Sequence, residues 1–169
     1  MSLICVKNMS LLEYGLNENG ENYMKKILVA ISLAFVSASS YAAEYTVNLV
    51  TVGTGNQSMV FEPGYLKISK GDTVVFAPSD ITHNAVSFSI PPDAKSFSTP
   101  LDGKPAKVTF DTEGIYLYKC VPHAIMGMLG VIQVGKPVNL KQTKANWEKF
   151  KATVVVNKER VDEYLKNVK

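Results

Sequence analysis

The chain has 169 residues, of which 46% are hydrophobic, and this is enough apolar material for one domain with a single core. Its formal net charge of +3 is mild, with no polybasic run and no interleaving of aromatic with basic residues, which argues against a nucleic-acid-binding protein. It contains no P-loop or dinucleotide-binding fingerprint, so nucleotide-dependent chemistry is not expected. A mild positive charge suits steering toward an acidic partner.

The first predicted element is an export signal. Met24, Lys25 and Lys26 form a charged start, the apolar run ILVAISLAFV follows, and SASSYAA supplies small residues for cleavage. The apolar run is too short to span a membrane. We therefore predict a secretory signal peptide over 24–42, with cleavage after Ala42 favoured over Ala43. An N-terminal anchor that stays uncleaved is the alternative.

Residues 1–23 precede this signal and are polar without periodicity. We interpret them as a mis-assigned extension ahead of a true start at Met24, with a genuine cytoplasmic extension as the alternative. Export would leave Cys5 out of the mature chain, so Cys120 would have no partner for an intramolecular disulfide. A lone thiol in an oxidising compartment is a liability unless a metal occupies it, and this favours a metal site.

Strand-like segments dominate residues 43–135. TVNLVTVG, MVFEP and YLKISKGDTVVF are short, rich in Val, Thr, Tyr and Phe, and bounded by Gly, Pro or Asp. The triplet at 70–72, KGD, is predicted as a hairpin turn, and residues 89–106 as a long irregular connection. KVTF and GIYLYKC are predicted as a pair of strands that leads into a loop, and 129–134 as the last strand. The spacing is typical of a β-sandwich.

Residues 136–169 differ in composition and are predicted to form two amphipathic helices packed on the sandwich. Asn157 is the predicted N-cap of the second helix. The apolar positions at helical spacing are Leu140, Trp147, Phe150 and Val154 in the first helix, and Val161, Tyr164, Leu165 and Val168 in the second. A surface helix normally buries its apolar stripe, so we favour structural cover over a partner-binding helix.

The stretch YKCVPHAIMGMLG carries the candidate site. It places Cys120, His123 and two methionines, Met126 and Met128, within nine residues, and His83 lies 37 residues before Cys120. Two imidazoles, one thiolate and one weak axial thioether are the donors of copper electron-transfer sites. Either methionine can serve as the axial donor on this evidence. The sequence therefore predicts a site for one copper ion.

Four protein donors would close the coordination shell, whereas a catalytic metal site keeps one position open. We therefore predict outer-sphere transfer of single electrons and no enzymatic activity. A copper carrier or buffer that hands over the ion is the main alternative. An enzyme with Cys120 as nucleophile and His123 as base is less well supported, because no third orienting group or oxyanion motif is evident.

Other residues near the predicted ligands are expected to support the site. Gly127 and Gly130 are predicted turn positions. Pro122 has no N–H, so we expect fewer hydrogen bonds to the Cys120 sulfur and a lower reduction potential. Asn84 is predicted to tie the His83 segment to the ligand loop.

These motifs together resemble the cupredoxin family of type-1 blue copper proteins. The resemblance runs from about Glu44 to the C-terminus and rests on SMVFEPGYLKISKGDTVVF, HN and YLYKCVPHAIMGMLGVIQVG. It implies a cupredoxin-like Greek-key β-sandwich and favours Met128 over Met126 as the axial donor. One departure is Val121, where the family usually has a small hydroxyl residue. The ligands implied by position are His83, Cys120, His123 and Met128.

The resemblance also implies a role and partners. The protein would be a periplasmic electron carrier, without membrane insertion after signal cleavage and expected as a monomer. Its acceptor would be a nitrite reductase or a similar oxidoreductase, and its donor a cytochrome. The exposed edge of His123 would be the docking port, and because transient redox encounters bury little area, the patch should be small. The apolar residues framing it would be Met59, Ala124, Ile125 and Met126.

Surface lysines are either ordinary solvated charges or a docking ring around this patch, and the sequence leaves both possibilities open. The residues concerned are Lys70, Lys95, Lys104, Lys107, Lys119, Lys136 and Lys141.

Overall fold

The structure is a computed structural model that describes residues 42–169. The predicted extension at 1–23, and all of the predicted signal peptide except its last residue, lie outside the described residues. None of the helices between residues 42 and 169 has the length and apolar content that a membrane span requires.

Eight strands in the described part of the chain form two four-stranded sheets. In chain order they are β1 (Glu44–Val52), β2 (Ser58–Glu62), β3 (Tyr65–Ile68), β4 (Thr73–Pro78), β5 (Val86–Ser89), β6 (Ala106–Thr109), β7 (Gly114–Lys119) and β8 (Leu129–Val134). The first sheet has the order β2-β1-β4-β6 and the second the order β3-β8-β7-β5. This confirms the predicted sandwich, and β8 has the predicted bounds.

Two strand connections differ from the prediction. The turn at 70–72 joins β3 to β4, but these strands lie in different sheets, so the predicted hairpin is wrong. The predicted partners β6 and β7 are likewise in different sheets. The sequence does not show that the chain passes from one sheet to the other at these turns. Turn residues indicate that the chain changes direction, but they do not determine which strand pairs with which.

The strands β7 and β8 are buried along almost their whole length, because the sandwich covers one face of their sheet and the helices cover the other. Tyr116 and Tyr118 belong to the core between the sheets, whereas Ile115 and Leu117 belong to the cluster under the helices. Since side chains alternate along a strand, Cys120 continues the inward face of Tyr116 and Tyr118. The thiol is therefore directed into the sandwich.

The C-terminal segment forms α1 (Leu140–Lys151) and α2 (Arg160–Lys166). Both predicted helices are confirmed, and their apolar faces pack on the second sheet, with Trp147 and Val161 buried. The predicted N-cap role of Asn157 is wrong, because α2 begins three residues later and Asn157 has a left-handed backbone with φ 53°. Its side chain instead contacts the ligand loop, as described below.

Gly130 is also different from the prediction. It lies inside β8 opposite Tyr118 on β7, and its backbone makes no turn. A Cβ there would collide with the Tyr118 ring, so this glycine provides space for a buried aromatic side chain. Gly127, in contrast, is a turn residue as predicted, with a left-handed φ of 78°.

Candidate metal centre

The loop that carries the candidate site is fixed by the pairing of β7 with β8. Lys119 is opposite Leu129 in this antiparallel pair, so the nine residues between them must form a closed loop. The Cys120 amide donates to the Met128 carbonyl oxygen at 3.0 Å and closes it. A 3-10 turn (Ala124–Met126) followed by Gly127 brings the chain back to β8.

This geometry brings three predicted ligands together. Nδ1 of His123 lies 3.4 Å from the Cys120 Sγ atom, and Nδ1 of His83 lies 3.9 Å from it. One donor atom from each of the three residues fits within a span of 4.8 Å. His83 reaches Cys120, which follows it by 37 residues, because β5 begins three residues after His83 and pairs antiparallel with β7, so that Val86 lies opposite Lys119.

Met128 lies at the end of the same loop. It is fully buried and belongs to the same core cluster as Cys120, and its amide donates to the His123 carbonyl oxygen at 3.2 Å. Met126 is only half-buried and Met59 is likewise half-buried. Of the two methionines in the loop, Met128 is therefore the one enclosed with the thiol.

Asn84 joins the two segments that carry the ligands. Its Oδ1 accepts a hydrogen bond of 2.9 Å from the Val121 amide, directly after Cys120. This hydrogen bond uses only the backbone N–H of Val121. It therefore forms although residue 121 is a valine and not the small hydroxyl residue that is usual in the family. Asn84 is buried, so the bond is shielded from water.

The Cys120 thiol is fully buried, and this burial raises its pKa, while the backbone N–H groups of Asn84 and His123 act in the opposite direction. Pro122 has no N–H to contribute. A neutral thiol is therefore the resting form without metal, and metal binding must displace its proton.

Two residues that the sequence interpretation missed orient His83. Its Nε2 atom lies 3.0 Å from Thr51 Oγ1 and 3.5 Å from Asp80 Oδ2, and the Thr51 hydroxyl lies 3.3 Å from that carboxylate oxygen. Hydrogen bonds from Thr82, with the nearby His83 and Ser79 as smaller causes, lower the pKa of Asp80 to about 2. The carboxylate is thus an acceptor at neutral pH.

A chain of hydrogen bonds follows from these positions. Nε2–H of His83 donates to Thr51, and the Thr51 hydroxyl donates to Asp80. With the proton on Nε2, the lone pair on Nδ1 is free and faces Cys120, which is how outer groups select the tautomer of a metal-binding histidine. A carboxylate three residues before a candidate histidine was the available sequence signal. Thr51 had none, because its proximity depends on the parallel pairing of β1 with β4.

The donor set fits copper. It combines one thiol, two imidazole nitrogens that face it and a buried thioether, which are soft or intermediate ligands. A family model for copper binding proteins, the plastocyanin/azurin family, matches residues 47–135. The chain belongs to the plastocyanin/azurin family of copper-binding proteins. Copper is its cofactor.

Within this family the similarity is to pseudoazurins. The chain is 43% identical over 122 residues to a protein named as a pseudoazurin in Rhizobium leguminosarum bv. viciae, covering 70% of this chain and 79% of that one. It is 34% identical over 126 residues to pseudoazurin of Methylorubrum extorquens, covering 72% and 84%. The crystal structure of native pseudoazurin from Hyphomicrobium denitrificans matches with a TM-score of 0.65 and 36% identity, covering 75% of this chain and 98% of that one.

These relatives confirm the predicted cupredoxin sandwich with two C-terminal helices. They also confirm the predicted class of function, because pseudoazurins are type-1 copper electron carriers and not enzymes. This plastocyanin/azurin family member is therefore a copper electron carrier with redox proteins as partners.

The buried His83 predicts how the stability of the copper-free protein depends on pH. Burial lowers the pKa of this imidazole, opposed by the Asp80 carboxylate and assisted by His123. The unfolded chain, with a histidine pKa near 6.5, binds this proton more readily than the folded chain. The free energy of unfolding should therefore decrease as pH falls below about 6.5.

Urea denaturation of the copper-free protein at pH 7.5, 6.5 and 5.5 measures this slope. A His83→Gln variant removes the titrating group and should show a flatter dependence between pH 6.5 and 5.5. Equal slopes in the two proteins would contradict a buried neutral His83.

Proposed function

We propose that this protein carries single electrons in the periplasm and holds one copper ion at the edge of the sandwich. The proposed ligands are His83, Cys120, His123 and Met128. The observation that carries the proposal is the 4.8 Å span of the three strong donor atoms, reached in the chain's own fold. The export signal predicted at 24–42 supports the location.

Each residue has a role in this proposal. A bound copper ion would supply the one-electron couple between Cu(I) and Cu(II). Cys120 and His83 are fully buried and exclude water from the site, and the chain from His83 to Asp80 keeps the imidazole in one tautomer. Asn84 holds the loop against the His83 segment, so little has to move when the charge changes.

The half-buried His123 is the proposed electron port. The 3-10 turn beside it presents Ile125, which is 54% exposed, and Val121, two residues before His123, is also exposed. Ala124, Met126 and Met59 are half-buried. This apolar port is small enough for the brief docking that a soluble redox encounter requires. We propose a nitrite reductase or a similar periplasmic oxidoreductase as acceptor, a cytochrome as donor, and a monomer as the carrier.

The alternative function, a copper carrier or buffer, fits the geometry less well. Metal transfer needs ligands that a partner can reach, whereas Cys120 and His83 are fully buried. Repeated reduction and reoxidation without loss of copper would support the electron carrier, and loss of copper at each reduction would support the buffer.

Two lysines of the proposed docking ring already have contacts within the chain. Lys107 pairs with Glu44 at 2.6 Å, and the Lys119 ammonium lies 5.0 Å from the centre of the Phe150 ring. The Lys107 pair is exposed and contributes little stability, whereas the Lys119 contact is half-buried. Both leave the positive charge in place. The docking ring stays a prediction.

A negative charge placed on the proposed electron port should slow electron transfer to the acceptor. Ile125→Glu should reduce the second-order rate of electron transfer to a nitrite reductase by roughly tenfold, because docking would desolvate a carboxylate. The visible spectrum should not change, since the side chain is largely exposed and is not a proposed ligand. Stopped-flow mixing of the reduced protein with the acceptor measures the rate.

Val138→Glu is the matched control. Val138 is 67% exposed and follows the far end of β8, which is about 17 Å from the end that begins at the ligand loop. The Val138→Glu variant adds the same charge away from the port and should leave the rate of electron transfer unchanged. Equal rates for Ile125→Glu and the unmodified protein would place the port elsewhere.

A further inference from the structure

The connection between α1 and α2 lies on the ligand loop. The amides of Val155 and Val156 donate to the Ile125 carbonyl oxygen at 2.9 and 3.2 Å. The Asn157 side-chain amide donates to the next carbonyl, that of Met126, at 3.2 Å. Carbonyl groups at the end of a helical turn have no partner inside it and must find one elsewhere. Here the C-terminal segment supplies the donors.

Arg160 extends this pattern to the third carbonyl in succession. Its guanidinium donates to the Gly127 carbonyl at 3.2 Å, and also to the Met59 and Ser58 carbonyls at 2.9 and 3.1 Å. One permanently charged, planar group thus joins the ligand loop to β2 of the other sheet. Bonds with a charged donor are stronger than those between neutral groups.

The segment also packs closely on Gly127. A Cβ at that position would lie 2.6 Å from the Val156 carbonyl oxygen and 2.9 Å from Asn157 Cβ. The left-handed Asn157 backbone directs its side chain at the loop. The segment therefore leaves no room for a side chain at Gly127, and Met128 follows this residue directly.

We infer that a brace positions Met128 for the metal, with Arg160 as its principal positioning residue. The brace consists of Val155, Val156, Asn157 and Arg160. The inference rests on the proposed ligand role of Met128. A weak thioether ligand tunes the potential of a type-1 site, so a residue that fixes the backbone before Met128 would act on the potential through that ligand. Arg160 touches no ligand side chain among the contacts of the described chain and acts through Gly127.

Three variants test the brace. Arg160→Met removes all the donors while keeping an aliphatic chain, Arg160→Lys keeps the charge without the planar fork, and Lys158→Met removes an exposed charge two residues away as the control. Amide hydrogen exchange of Met126, Gly127 and Met128 is measured in the copper-free proteins. The visible band ratio, the electron paramagnetic resonance spectrum and the reduction potential are measured after loading with copper.

Arg160→Met should accelerate exchange of these amides by about tenfold or more, change the band ratio and shift the potential. It should also release copper to a chelator about tenfold faster. Arg160→Lys should show the same spectral change to a smaller degree, and Lys158→Met should match the unmodified protein.

Two results would overturn the brace. One is a lower melting temperature for Arg160→Met with unchanged exchange, spectrum and potential, which would make the residue merely structural. The other is a potential that shifts in Arg160→Met alone with an unaltered spectrum, which would be an effect of charge. If the unmodified protein itself shows no thiolate-to-copper band, the proposed ligand set fails, and the exchange data still decide whether Arg160 orders the loop.

Discussion

Replacing Cys120 with serine is expected to abolish the intense visible band of the copper-loaded protein. The band requires a thiolate bonded to Cu(II), and a hydroxyl is a harder donor that stays protonated at neutral pH. The two imidazoles that face this position remain, so weak binding of Cu(II) can persist without the blue or green colour. Reversible reduction by ascorbate should be lost together with the band.

The variant remains interpretable because serine is close to cysteine in size and Cys120 is the single cysteine among residues 42–169. Circular dichroism of the copper-free protein shows whether the sandwich has folded. Met126→Leu is the control inside the same loop and should keep its band, since that methionine is half-buried and is not a proposed ligand. An intense band in Cys120→Ser, or its loss in Met126→Leu, would contradict the proposed ligand set.

Gly130 in β8 provides the space that the Tyr118 ring occupies. Gly130→Ala should lower the free energy of unfolding by about 1–3 kcal/mol, because the new methyl group would occupy space held by the Tyr118 ring. Tyr118 is fully buried, and its ring contacts Phe61 and Phe76 at centroid distances of 4.7 and 5.3 Å, so it cannot swing aside freely. Urea denaturation of the copper-free variant measures the loss.

A double-mutant cycle isolates this contact. In a Tyr118→Leu background the ring is absent, so adding Gly130→Ala should cost clearly less than it does in the unmodified protein. The same cost in both backgrounds would mean that backbone preference, and not the ring, requires glycine at position 130.

The sequence was sufficient to predict copper as the cofactor and to propose its ligands, because the relevant chemistry is concentrated in a few residues. Cys120, His123 and Met128 are close together along the chain, and His83 was one of two histidines available. Alternation along β7 then places the thiol inside the sandwich without further information. The fold class followed in the same way from short β-rich segments and two helical patterns.

The pairing of strands that are distant in the sequence was harder to predict. The turn at 70–72 has hairpin chemistry and still joins two sheets, since the partner of a strand is decided by the packing of the whole core. The same limit hid Thr51, which reaches His83 only because β1 runs parallel to β4.

Asn157 shows a different limit. Asparagine is favoured both at N-caps and in left-handed turns, so residue type alone does not distinguish the predicted N-cap from a turn. In the structure Asn157 has the left-handed conformation, and its side chain donates a hydrogen bond to the Met126 carbonyl oxygen in the ligand loop. Gly130 is similar, because only the presence of Tyr118 on the neighbouring strand reveals why a glycine is needed in β8.

The most direct test of the account is a visible absorption spectrum of residues 43–169 loaded with Cu(II) and titrated with ascorbate. The proposed ligands predict an intense blue or green band that bleaches on reduction and returns fully on reoxidation, with copper retained throughout. A colourless protein, or one that releases its copper when reduced, would contradict the electron-transfer site and favour metal handling instead.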